Sequence, residues 1–146
     1  MLKNYTSSVS AAKSIAFIES KLAQNGAMQI LKEYDKNQRV IGICFNIPVN
    51  GKDMFFKLPA KVAQCEKVLK GNLSSRARPK TYEKITEQAE RTAWKILSDW
   101  TEVQMSMVEL TQVEIMEIFL PYVYNSVTKQ TYFEQLKTGS YKALLT

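Results

Sequence analysis

The chain has 146 residues, 45% hydrophobic and 23% charged, with 20 Lys/Arg against 14 Asp/Glu, two Cys and no His. This is the composition of one ordinary globular domain rather than of a disordered segment. The lack of histidine excludes imidazole acid–base catalysis and, with only Cys44 and Cys65 to offer thiolates, all but excludes a Cys/His zinc site. The net charge of +6 is unevenly held: residues 1–80 carry +9 and residues 81–146 carry −3. Such asymmetry is expected of a basic face turned toward nucleic acid or an acidic partner, the alternative being a solubilising surface.

The opening "MLKNYTSSVS" has no apolar stretch of the kind a secretory signal needs, and no apolar run nears the roughly 18 residues of a membrane span. A cytoplasmic protein without membrane contact is expected. Cys44 and Cys65 lack a C-x-x-C spacing and read as two buried free thiols.

Ala11, Ile15, Ile18 and Leu22 recur at spacings of 4, 3 and 4, one face of a helix. Ser8 or Ser10 can cap its start, and Gly26 can take the left-handed conformation that ends it. Three strands are predicted next, at 27–34, 39–47 and 52–58. Met28, Ile30 and Tyr34 would share a face in the first, Ile41, Ile43, Phe45 and Ile47 in the second, and Met54, Phe56 and Leu58 in the third. Asn50-Gly51 is the pair a type I′ hairpin turn prefers, because both positions need φ > 0. An antiparallel meander with its apolar face under the first helix follows.

A second helix is predicted over 58–71, with Pro59 in its first turn, where a missing N–H costs nothing, and with Val62, Cys65, Val68 and Leu69 buried. From Tyr82 a long helix is expected. Ile85, Ala89, Ala93, Ile96, Trp100, Val103, Met107 and Leu110 form its apolar seam over about 28 residues, or about 42 Å. Thr111 and Glu114 have capping-box spacing for a short helix that stops before Pro121, and a last short helix is expected near 129–137.

The expected fold class is therefore α+β: an N-terminal helix, a three-stranded antiparallel β-meander, then helices dominated by one long C-terminal helix. All of it forms a single domain, 1–146. Residues 1–58 hold the helix and meander, 59–71 a helix, 72–81 a basic connector, and 82–146 the long helix and helical tail.

The stretch with Ala93-Trp94, Asp99-Trp100, an acidic helix and then Phe119-Leu120-Pro121-Tyr122 resembles a family of small phage and prophage proteins of uncharacterised function. That family shows an A-W-x-x-x-x-D-W … F-L-P-Y pattern. "GAMQILKEYD", "ICFNI" and "FKLP" are similar as well, so the resemblance spans most of the chain. It implies a phage-encoded protein in the host cytoplasm and carries over no catalytic residue. Thr101 and Ser106 depart from the pattern, which has more apolar or small residues there; the departure bears on surface detail only.

Among candidate sites, the acid-poor run with Lys61, Lys67, Lys70, Arg76, Arg78 and Lys80 can neutralise several phosphates, and Ser74 and Ser75 can add hydroxyl bonds; a solvated linker is the alternative. Arg39, Asn46, Phe55 and Lys57 are expected on the outer sheet face, where an exposed aromatic among cations can stack single-stranded bases. Trp94, Leu97 and Met105 are candidates for protein contact, with core packing as the alternative reading of Trp94 and Met105. Glu83, Glu87 and Glu90 share a helix face, but no Gly-rich phosphate loop accompanies them, so no metal, cofactor or enzyme activity is expected. Two functions stay open: DNA or RNA binding in replication, recombination or regulation, and inhibition or adaptation of a host or anti-phage defence protein through the long helix. The apolar surface of that helix would also suit a homodimer.

Overall fold

The computed structural model of the chain describes residues 1–73 and 76–146. Helix α1 (Ala11–Gln24) starts where the Ser10 hydroxyl accepts from the Lys13 N–H at 3.1 Å, satisfying one donor that the first turn leaves open. The chain leaves it through Gly26, at φ 107°. Strands β1 (Gln29–Tyr34), β2 (Val40–Val49) and β3 (Lys52–Pro59) form an antiparallel sheet in the order β1-β2-β3. Asn50 and Gly51 both take positive φ, 53° and 78°, as the I′ turn requires.

Register decides the core. Ile43 faces Leu58, Phe45 faces Phe56 and Ile47 faces Met54, so one face of the sheet is apolar throughout. Ile15, Ile18 and Leu22 of α1 are buried in the same core, and the Lys32–Glu19 ion pair at 3.3 Å ties β1 to α1. Each fully buried Ile, Leu or Phe contributes about 1.5–3 kcal/mol. Phe119, at the end of α4 (Ile115–Phe119), closes the cluster. Its ring centroid lies 5.3 Å from Phe45, 6.1 Å from Phe56 and 6.0 Å from Trp100, all edge-on.

Helices α2 (Val62–Gly71) and α3 (Pro79–Glu109) pack on one another, and α3 also packs on α1. α3 holds the start of β2 through its backbone: Glu90 Oε2 accepts from the Val40 N–H at 2.8 Å, and the Trp94 indole donates to the Val40 carbonyl at 2.7 Å. Beyond α4 come a single 3-10 turn (Leu120–Tyr122), a short hairpin of β4 (Tyr124–Asn125) and β5 (Gln130–Thr131), helix α5 (Tyr132–Thr138) and a 3-10 turn (Lys142–Leu144). This tail lies along the free edge of β3, where Val123 bridges Phe56. Among the described residues, no helix is long and apolar enough to cross a membrane.

The α+β architecture is as expected, and several boundaries move. Met28 stands outside β1 and is exposed. Pro59 belongs to β3, opposite Gly42, rather than to α2, and the chain turns into α2 through Lys61 at φ 56°. α3 starts at Pro79, so Lys80 lies in its first turn and not in the connector. The α4 capping box is Glu114–Glu117, because Thr111, at φ 58°, is the left-handed residue that follows α3. The largest correction concerns the α3 seam. Ala89 and Ala93 are buried, but Val103 and Leu110 are 58% and 66% exposed. The face turned inward further along is Trp94, Ser98, Thr101 and Met105. Its slender residues leave room for α1, and the Thr101 hydroxyl is satisfied by the Leu97 carbonyl at 2.8 Å. Thr101 is thus a core residue rather than a surface one.

Candidate nucleic-acid interface

Lys61 stands just before α2, and along the helix Gln64, Lys67 and Lys70 follow at three-residue spacing, each the helical neighbour of the next. The first three are exposed, and Lys70 is half-buried with Glu66 at 3.8 Å. At the C-terminal end of this row the chain reaches Arg76, Arg78 and Lys80, all exposed. Among the described residues Lys61, Lys67, Arg78 and Lys80 form no ion pair. Ser74 and Ser75 lie outside the described residues.

Arg39 does not belong to this surface. Its side chain is 13% exposed. Nε lies 2.9 Å from Asp35 Oδ2, and Nη1 donates both to Glu66 Oε1 at 3.1 Å and to the Thr86 carbonyl at 3.2 Å. Burial alone would raise the Glu66 carboxyl, but the Thr86 hydrogen bond and the charges of Arg39 and Lys70 hold it below its ordinary value. Asp35 shows the same balance, with burial opposed by hydrogen bonds from Arg39 and Asn37. Arg39 therefore knits the β1–β2 turn, α2 and α3 together; its charge is already neutralised.

On the outer sheet face Asn46 stands opposite Phe55, and Cys44 opposite Lys57, as the register predicts. Phe55 is 53% exposed and offers an open aromatic face, whereas Asn46 is buried. Lys57 is engaged: it pairs with Glu33 at 3.4 Å and sits 5.4 Å from the Tyr124 ring centroid. Trp94 is fully buried and Met105 nearly so, so neither presents a surface for protein contact. The physical reason is the inward rotation of that stretch of α3. Leu97 is half-buried and lines a small apolar groove of about 300 Å³ with Leu2, Cys65, Val68 and Ile96.

Both thiols are free. Burial, followed by the hydrogen bond to Glu33, pushes Cys44 up to about 11, and burial raises Cys65 as well. At neutral pH both remain protonated and poorly nucleophilic. Among the described residues no group of three or more Cys, Asp or Glu is placed to hold a metal ion.

A feature the sequence reading missed lies at the N-terminal end of the α2 row. There the sheet end, the first turn of α2, the 3-10 turn and α5 enclose a cleft of about 1060 Å³. Its contributors include Glu33, Lys57, Lys61, Gln64, Tyr122 and Phe133, drawn from four separate stretches of chain. The legible part of the signal was Thr131 with Glu134, a capping box that fixes the start of α5. Compared with known protein families, with curated proteins and with solved structures, the chain matches none.

Proposed function

We propose that this is a non-enzymatic, phage-encoded accessory protein that binds single-stranded DNA or RNA through the α2 row and the segment 76–80. The observation that carries the reading is the set of exposed cations Lys61, Lys67, Arg78 and Lys80, which make no ion pair among the described residues, beside an Arg39 that is fully engaged. Exposed cations gathered in one stretch of chain can take the place of counterions on successive phosphates. The exposed Phe55 supplies a further surface on which a base can stack. The phage origin rests on the A-W-x-x-x-x-D-W and F-L-P-Y resemblance alone; replication, recombination or regulation of a phage genome is the setting proposed for the binding.

The test is a titration of labelled 20-nucleotide DNA and RNA at about 50 mM and 200 mM salt. Binding at low salt that weakens steeply at high salt is expected. Lys67→Ala with Arg78→Ala and Lys80→Ala should flatten the log–log salt slope by about 0.7 per cation removed. No binding by the unaltered chain at 50 mM salt overturns the reading.

A second reading keeps one specific observation. From Ile96 to Thr128 the chain has five acids and no cation, and exposed Val103 and Leu110 lie among them. That end of α3 suits contact with a basic host or defence protein. Recovery of one nuclease-resistant protein from infected cells, lost in Val103→Ser with Leu110→Ser, would favour it.

A further inference from the structure

The cleft at the start of α2 has a definite charge balance. Glu33 is paired with Lys57, and Asp35 with Arg39. Glu134 accepts from the Thr131 N–H at 3.0 Å, and that bond, with the nearby charges of Lys61 and Lys57, keeps it ionised and below its ordinary range. Against Glu134 stand Lys61 and Lys137, neither in an ion pair among the described residues, so the cleft keeps a surplus of one positive charge. Between them the lining offers the rings of Tyr122 and Phe133, the latter 46% exposed, and the amides of Gln64 and Gln130. The Gln130 amide nitrogen donates to the Thr138 hydroxyl at 3.2 Å, which orients its carbonyl oxygen as an acceptor. The volume, about 1060 Å³, is slightly above what small-molecule sites usually occupy, about 300–1,000 Å³.

A surplus positive charge carried by two lysines, exposed aromatic surface and two amides are the chemistry that recognises a nucleotide: phosphate, base face and base edge. We propose that this cleft seats one unstacked nucleotide of the bound strand, with its base against Phe133 and its phosphate between Lys61 and Lys137. The proposal rests on the nucleic-acid reading above and extends it. Lys61 belongs both to this lining and to the basic stretch that ends in the segment 76–80, which links the cleft to the wider surface.

The experiment compares the full chain with Phe133→Ala, with Lys137→Gln and with Lys67→Ala/Arg78→Ala, using labelled dT and rU 20-mers. It adds an NMR titration of the unaltered chain with AMP and UMP. Phe133 and Lys137 are exposed, so their variants should unfold at the same temperature as the parent. Phe133→Ala is expected to weaken 20-mer binding about tenfold with an unchanged salt slope, the signature of one lost stacked base. Lys137→Gln is expected to lower the slope by about 0.7. The mononucleotides should shift amides in 121–138. If Phe133→Ala and Lys137→Gln both bind within twofold of the parent while Lys67→Ala/Arg78→Ala does not, the cleft proposal fails and the wider reading stands. If the parent binds neither 20-mer, both fall.

Discussion

The two ends of α3 differ in charge: the start is mixed, with Lys80 and Lys84 beside Glu83 and Glu87, and the finish holds acids alone. At its start, Arg78 and Lys80 join the lysines of α2. At its finish, Glu102, Glu109, Glu114 and Glu117 stand exposed with no Lys or Arg between Lys95 and Lys129. The helix runs 31 residues, about 46 Å, so the two clusters are separated by several Debye lengths at physiological salt. One polyanion can therefore meet the basic end without feeling the acidic end strongly. A net charge of +6 conceals this arrangement. The comparison also separates two kinds of cation within the basic end: Arg39 is locked into the fold by two carboxylates and a helix carbonyl, whereas Lys67, Arg78 and Lys80 have no carboxylate within 4 Å among the described residues.

The largest effect should come from reversing the outward cations. Lys67→Glu with Arg78→Glu and Lys80→Glu is expected to lower single-strand affinity by about 10³-fold at 50 mM salt, since three attractive phosphate contacts become repulsive. Thermal stability should stay within about 0.5 kcal/mol, as for other surface changes. Binding that survives this reversal would place the contact elsewhere. Arg39→Ala should do the opposite. Leaving Asp35 and Glu66 half-buried without their cation is expected to cost about 3 kcal/mol in urea unfolding. Affinity for the strand should change less than twofold. A large loss of affinity at unchanged stability would show that Arg39 belongs to the interface after all.

The same triad sets a pH dependence. The Asp35 and Glu66 carboxyls sit below their ordinary values in the folded chain. Where the folded value is depressed, the stability gained is complete above the unfolded value, about 4, and is lost as pH falls through the lower folded value. Unfolding free energy should therefore be flat from neutral pH down to about 5 and then drop on further acidification. In Arg39→Ala that acid-side drop should shrink in part, because the guanidinium's hydrogen bonds and charge are gone while the backbone N–H bonds to Asp35 and the Thr86 bond to Glu66 remain.

Local structure was legible where one stretch of chain decides it. Ser10 as a cap, Asn50-Gly51 as the turn and the β2–β3 alternation each depend on residues a few positions apart, and each stands as read. The errors arise where distant chain intervenes. The α3 periodicity is real, but which of its sides faces inward depends on α1, nearly eighty residues earlier, and α1 selects Ser98, Thr101 and Met105 over Val103 and Leu110. Arg39 looked like a surface cation because its partners, Glu66 and the Thr86 carbonyl, lie 27 and 47 residues away. The exposure of Lys61 and Lys67 was expected from the density of cations in that stretch; Gln64 was passed over because a neutral residue gives no charge signal. The cleft combines residues near 33, 61, 122 and 133, a juxtaposition that no local pattern encodes.

The smallest effect tests the independence of the two ends. Glu102→Gln with Glu109→Gln removes two exposed charges that make no ion pair among the described residues, so folding should be unaffected. Lys80 and Glu109 are 29 residues apart on one helix, about 43 Å. At 50 mM salt a small attraction is restored to the approaching strand, and affinity should rise by less than about threefold; at 200 mM, screening should erase the difference. A gain larger than tenfold, or one that persists at high salt, would mean that the strand runs the length of α3 and passes directly over those glutamates. The contact would then have to be redrawn along the whole helix instead of at its basic end.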